Sequence, residues 1–177
     1  MRKGLIAYQS KYGATKKYVD MLREELPCDV CETGDCGKMA PEGYDWLILA
    51  GGIYAGGIAG LNRLIKKYRR PPHQRLAVFC VGASPFDEKA LAEIRARNLR
   101  GDFQDVPLFY GRGAWDESKM SWKDRTLCGL LRKAVAKKKS GSDEPWMSAL
   151  LLSAGKACDW TDKRCLLPLL ESIRAGC

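Results

Sequence analysis

The sequence has a single histidine, His73, and no apolar run near the roughly 18 residues that a membrane-spanning helix needs. It begins on a short apolar run, not on the charged, apolar and small-residue segments of an export signal. Hydrophobic residues make up 46% of the 177-residue chain, which excludes wholesale disorder. We therefore expect a cytoplasmic protein with one domain over residues 1–177, and we expect His73, which follows two prolines, at the surface rather than in catalysis.

Eight cysteines are present, but they form no complete metal-ligand pattern. Cys28 and Cys31 have the C-x-x-C spacing, and Cys36 follows them. A structural zinc site takes four ligands, and the usual second C-x-x-C is missing. Reduced, partly buried thiols are the favoured interpretation, with a metal or redox role of these three as the alternative. We predict no metal site.

The net charge of +9 is concentrated in two segments. Residues 63–75 carry +6 with no acidic residue, and residues 112–139 also carry +6, which leaves −3 for the rest of the chain. The sequence thus describes a slightly acidic domain with two basic segments.

Apolar runs and helical periodicities alternate along the chain. Strands are predicted near residues 5–8, 28–32, 46–50, 76–81 and 106–110. Helices are predicted between them, at residues 87–97 and at 161–174, and residues 140–143 resemble a linker. Alternating strands and helices favour a parallel sheet covered on both faces.

Loops rich in glycine or small residues follow four of the strands, at residues 9–15, 51–57, 82–85 and 111–113. Ligands of open α/β sheets bind at the carboxyl ends of the strands, where these loops meet. The first loop is neither a Walker P-loop nor G-x-G-x-x-G. Its hydroxyls, its glycine and the amides of the following helix suit one terminal phosphate, with a role of Ser10 and Thr15 only as helix caps as the less favoured alternative.

These residues resemble the flavodoxin family. Residues 10–15 are similar to its phosphate loop, [ST]-x-[ST]-G-x-[ST], except that Tyr12 stands where the pattern has Thr or Ser. The phosphate would therefore depend more on hydrogen bonds from backbone amides. Residues 51–56 look like the second flavin loop, and residues 82–84 stand where the third is expected. The resemblance implies FMN as cofactor and a doubly wound, five-stranded parallel sheet of order 2-1-3-4-5.

A segment after the fifth strand resembles one group within the flavodoxin-like proteins. Trp122, Lys123, Asp124 and Arg125, followed by a leucine-rich run, are similar to an insertion of the flavodoxin-like, quinone-dependent protoporphyrinogen dehydrogenases and their uncharacterised relatives. Asp159 and Trp160 also resemble that group. The insertion would span about residues 114–158 within the single domain.

The resemblance also implies the site residues. The phosphate would lie on the first loop and the isoalloxazine between the second and third loops, with Tyr54 beside the ring or, alternatively, half-exposed. Arg112 would meet the phosphate or an acidic substrate, or be solvated. No catalytic acid or base is expected. The full predicted set is Ser10, Lys11, Tyr12, Gly13, Ala14, Thr15, Gly52, Ile53, Tyr54, Ala55, Gly56, Gly82, Ala83, Ser84, Gly111, Arg112 and Gly113.

Two functions remain open, an enzyme that oxidises a porphyrinogen with a quinone and a small carrier of electrons between proteins. A basic amphipathic helix within residues 119–139 could lie on the inner face of an anionic membrane or dock its leucines on its own domain. We expect a redox protein or a quinone as partner. Nucleic acid is not expected, because no binding signature accompanies the basic segments.

Overall fold

The computed structural model describes residues 3–68, 71–137, 147, 150–151 and 155–175. The strands are β1 (Gly4–Gln9), β2 (Cys28–Glu32), β3 (Trp46–Tyr54), β4 (Gly57–Ile58), β5 (Arg75–Gly82), β6 (Leu108–Arg112), β7 (Ala114–Asp116) and β8 (Ala157–Asp159). The helices are α1 (Ala14–Glu25), α2 (Leu61–Lys67), α3 (Glu88–Asn98), α4 (Trp122–Lys137) and α5 (Leu167–Arg174). The linker-like residues 140–143 and two basic residues, Arg69 and Arg70, lie outside the described residues.

The main sheet has the order β2-β1-β3-β5-β6, with every one of these neighbours parallel. Because β5 and β6 are the fourth and fifth predicted strands, the order 2-1-3-4-5 is confirmed. The short β4 adds an antiparallel hairpin to the end of β3. Leu47, Ile48 and Leu49 in β3 are all fully buried, as expected for a strand covered on both faces.

Two hydrophobic clusters lie on opposite faces of the sheet. One face is covered by α2, through Leu61 and Leu64, with partly buried residues of α3 packed against it. The other face is covered by α1 and α5, and there Tyr18 meets Phe79 edge-on with ring centroids 5.0 Å apart. The α/β flavodoxin-like architecture expected from the sequence is therefore the one observed.

The cysteine pair of the C-x-x-C spacing is divided between these clusters. Cys28 packs against the cluster on the α1 face, whereas Cys31 and Cys36 belong to the cluster on the opposite face. An offset of three residues along a strand reverses the face, which accounts for the separation. No group of three or more potential metal-ligating side chains forms among the described residues.

Two predicted boundaries shift in the structure. The strand predicted at 106–110 begins at Leu108, because Pro107 has no N–H to contribute to the ladder. The helix predicted from residue 161 begins with a 3₁₀ turn at Lys163–Leu166 before α5. The Asp162 side chain accepts from the Arg164 backbone N–H at 2.9 Å, which holds the chain in a local turn ahead of the helix.

The segment after β6 leaves the main sheet through β7 and returns through β8, which lies beside β7. Strands β7 and β8 pair antiparallel, with Trp115 opposite Cys158. Helix α4, expected over 120–139, begins at Trp122, where the Ser121 side chain accepts from the Asp124 backbone N–H at 3.3 Å. Residues 138 and 139 lie outside the described residues. Within the segment, Arg132 forms an ion pair with Glu117.

Candidate functional site

The first loop joins β1 to the N-terminus of α1. Gly13 has φ 92°, a left-handed conformation that glycine adopts readily, and its backbone N–H donates to the Ser10 hydroxyl at 3.1 Å. Thr15 is buried in the first turn of α1, and that turn contains no acidic residue. The open space beside Gly13 and the 12-residue helix behind it fit an anionic group such as a phosphate.

The second loop proves to be a tight hairpin. Strand β3 continues through Tyr54, so that only Ala55 and Gly56 turn the chain, with φ of 48° and 75°, before β4. Two positive φ values suit the type I′ turn that matches the twist of a hairpin. The Asn98 side chain holds this hairpin, donating to the Gly56 carbonyl at 2.8 Å and accepting from the Ile58 N–H at 3.0 Å.

The first and second loops come together at Gly52. A Cβ placed on Gly52 would lie 3.6 Å from the Thr15 hydroxyl oxygen. A Cβ on Gly113 would lie 3.1 Å from the Ala14 Cβ, which brings the end of β6 to the same place. The sheet thus assembles the predicted loops at its carboxyl edge.

Two side chains of β6 hold the third loop by hydrogen bonds. The Arg112 Nε donates to the Ala83 carbonyl at 3.1 Å, and the Tyr110 hydroxyl donates to the Ser84 carbonyl. The Arg112 guanidinium also lies 3.9 Å from the ring centroid of Trp160, a cation–π contact. Arg112 is therefore neither simply solvated nor isolated, since it ties the third loop to the residue that follows β8.

Asp124 of α4 reaches across to the first two loops. Its carboxylate accepts from the Tyr12 hydroxyl and, at 2.9 Å, from the Tyr54 hydroxyl, and it forms an ion pair with Lys11. The Lys11 ammonium also lies 4.7 Å from the centroid of the Tyr54 ring. We call Lys11, Tyr12, Tyr54 and Asp124 the Asp124 cluster.

Asp124 is ionised over the physiological range. It is only 5% exposed, and its pKa is held well below its usual value, first by the bond from Lys11 and then by the bond from Tyr12. The same contact raises the pKa of Lys11, and the bond to Asp124 raises the pKa of Tyr54. The cluster is thus a buried anion held by one cation and two phenols.

Sequence reasoning missed Asp124 and Asn98 as site residues. Asp124 is the only acidic residue of α4, and an acid in a strongly basic helix is a signal that could have found it. Tyr12, predicted as part of the phosphate loop, directs its phenol to Asp124 of the insertion. His73 is exposed, as predicted.

The fold and this edge of the sheet define an α/β domain of the nucleotide- or flavin-binding type. Residues 5–143 match the family described as Flavodoxin domain, and the chain belongs to that family. Membership supports FMN as the cofactor and an oxidoreductase function of the flavodoxin-like class. The first loop meets this expectation, because it offers an anion site at a helix N-terminus.

Solved structures with a similar arrangement include three chains of low sequence identity. A Trp repressor binding protein from Bacillus subtilis is 16% identical, with a TM-score of 0.47 over 63% of this chain and 85% of that one. An NAD(P)H:quinone oxidoreductase from Methanothermobacter marburgensis is 10% identical, with a TM-score of 0.48 over 80% and 98%. A flavoprotein in complex with FMN from Lactobacillus acidophilus NCFM is 18% identical, with a TM-score of 0.41 over 63% and 93%. A search of curated proteins found no match.

Proposed function

We propose that the protein is an FMN-dependent oxidoreductase that oxidises a porphyrinogen of the protoporphyrinogen type and passes the electrons to a quinone. The flavin supplies the electron-transfer chemistry, and the chain supplies binding and orientation. The first loop would hold the phosphate through its amides, Ser10 and Thr15. The hairpin at Tyr54 and the third loop at residues 82–84 would enclose the isoalloxazine.

The observation that carries the proposal is the orientation of α4. Its inward face includes the buried Asp124 and the partly buried Arg132, together with the partly buried Cys128 and Val135. Its leucines point outward, with Leu127, Leu130 and Leu131 exposed by 42%, 60% and 42%. A helix that docks on its own domain normally does the reverse. The insertion therefore presents an apolar stripe beside the candidate flavin site.

Charge identifies the surface that this stripe would meet. Lys123, Lys133 and Lys137 are exposed on α4, and Trp122 at its start is 72% exposed. Outward leucines with basic residues and an interfacial tryptophan favour an anionic lipid surface. Such a surface is also where a lipid-soluble quinone is found. We therefore propose peripheral attachment of a single domain, with residues 114–158 as its insertion. No helix among the described residues is long and apolar enough to cross a membrane.

Activity is tested first, with FMN-loaded protein, protoporphyrinogen IX and a soluble quinone. We expect porphyrin formation that depends on both FMN and the quinone. The substrate assignment is wrong if the flavin is bound but no porphyrin forms.

Attachment is tested by sedimentation with vesicles of phosphatidylglycerol or of phosphatidylcholine alone. We expect binding to the anionic vesicles only, weakened by Leu130→Ser. Leu167→Ser is the matched control, because Leu167 is 53% exposed but lies on α5. Equal effects of the two substitutions would contradict the role of α4.

An electron carrier without its own substrate is the alternative. It would show no porphyrinogen oxidation, and on stepwise reduction it would accept electrons one at a time. Reduction in a single two-electron step would argue against a carrier.

A further inference from the structure

Asp124 links the insertion to the flavin loops through three side chains, although it belongs to neither loop. Tyr12 and Lys11 lie on the first loop, Tyr54 lies on the second, and each contacts the same carboxylate. With 5% exposure, Asp124 has little access to water, so these donors are its principal partners. Removing it would leave the two loops without a shared anchor.

The cluster also fixes the Tyr54 ring. The hydroxyl is held at its tip by Asp124, and the Lys11 ammonium covers one face at 4.7 Å. The residue is nevertheless 51% exposed, so part of the ring remains open. A tyrosine held at its tip and on one face is ready to present the other face to a planar ligand at little entropic cost.

We propose that Asp124 is a positioning residue of the FMN site, which sets the Tyr54 ring and the Lys11 ammonium so that the insertion helix completes the site rather than merely lying beside it. The inference rests on the proposed function only in that FMN binds at these loops. It does not depend on the substrate. FMN binding and the docking of α4 are then coupled, and by linkage each strengthens the other.

A purely electrostatic role predicts the opposite sign. A carboxylate next to a phosphate site repels the phosphate and neutralises Lys11, so that removing its charge would tighten FMN binding. A positioning role predicts weaker binding, because an amide offers one acceptor oxygen in place of two and leaves the donors less well held. The direction of the change therefore decides between the two.

The experiment is an FMN titration of wild-type protein and Asp124→Asn, followed by flavin fluorescence. We expect Asp124→Asn to raise the Kd for FMN about tenfold, within the usual range of coupling. We also expect its bound flavin to fluoresce more strongly, because a loosened tyrosine ring quenches less. Asp124→Glu, which keeps the charge and both oxygens, should recover most of the affinity and the quenching.

Asp116→Asn is the matched control. Asp116 lies in the same insertion but bonds to Ser118 and Lys119 rather than to the flavin loops, so Kd and fluorescence should not change. Hydrogen exchange gives a second readout: FMN should slow exchange in the first turns of α4 in wild-type protein but not in Asp124→Asn.

Tyr54→Phe removes the hydroxyl that donates to Asp124. It provides a second test of the cluster if Asp124→Asn fails to fold. It should raise the Kd and the fluorescence, and its effect should not add to that of Asp124→Asn. Unchanged or tighter FMN binding in both variants overturns the positioning role while leaving the proposed function in place. Failure of the wild-type protein to bind FMN overturns both.

Discussion

Gly51 gives a sharp test of how closely the second loop packs. A Cβ on Gly51 would lie 2.3 Å from the Ala59 carbonyl oxygen and 2.9 Å from the Ile58 Cγ2. The first of these atoms belongs to the backbone, which cannot rotate away as a side chain can. Gly51→Ala must therefore move the segment after β4, whose Ala59 N–H bonds to the Gly52 carbonyl at 2.9 Å.

The expected cost is about 1–3 kcal/mol, the usual effect of overpacking a well-packed site. For a chain of this size, each kcal/mol lowers the Tm by roughly 2–4 °C, so we expect a decrease between about 2 and 12 °C. Alanine is otherwise favoured over glycine in a strand by about 0.5–1 kcal/mol, which makes any decrease a measure of the clash.

Thermal unfolding followed by circular dichroism provides the assay, with Gly52→Ala as the control. Its Cβ would meet only the Thr15 hydroxyl oxygen, at the ordinary contact distance of 3.6 Å. The Tm of this variant should stay near that of wild type or rise slightly. Equal Tm values for the two variants would refute the close approach at Gly51.

Three further predictions concern stability. Phe79→Ala removes a fully buried ring and should lower the free energy of unfolding in urea by about 3–5 kcal/mol; a loss below 1 kcal/mol would contradict its place in the core. Asn98→Ala removes the clamp on the hairpin and should speed hydrogen exchange at the Ile58 amide, while exchange in β1 stays unchanged. The Lys17 contact lowers the pKa of Asp159 to about 2, so its stabilisation is present above the unfolded pKa of about 4 and disappears towards pH 2. The Tm difference between wild type and Asp159→Asn should therefore shrink over that interval, and a constant difference would contradict it.

Most strands of the main sheet could be predicted because they correspond to short apolar runs that are visible in the local sequence. The run at 46–50 is continuously apolar and short, which is typical of a strand covered on both faces. The β3–β4 hairpin and the β7–β8 ribbon were not predicted, because β4 has only two residues and β7 and β8 have three each. Strands that short take their identity from the pairing partner rather than from their own pattern.

The site was predictable in its loops but not in its contacts. Strand order places the carboxyl ends of β1, β3 and β5 together, so the predicted loops could be assigned to one edge in advance. The role of Arg112 could not be inferred in this way, because its partners Ala83 and Trp160 are distant in the sequence. The hydrogen bond of Tyr12 could not be inferred for the same reason, since its phenol donates to a carboxylate more than a hundred residues away.

The direction in which α4 faces follows from the balance between its two sides. Its leucine stripe alone predicts docking on the domain, which would remove apolar surface from water. The opposite side carries Asp124, and its carboxylate gains charge-assisted bonds from Lys11, Tyr12 and Tyr54 only if that side turns inward. Both sides of one helix cannot face the domain. The cluster therefore accounts for the face that turns inward, and the exposed leucines are its direct consequence rather than a separate feature of the insertion.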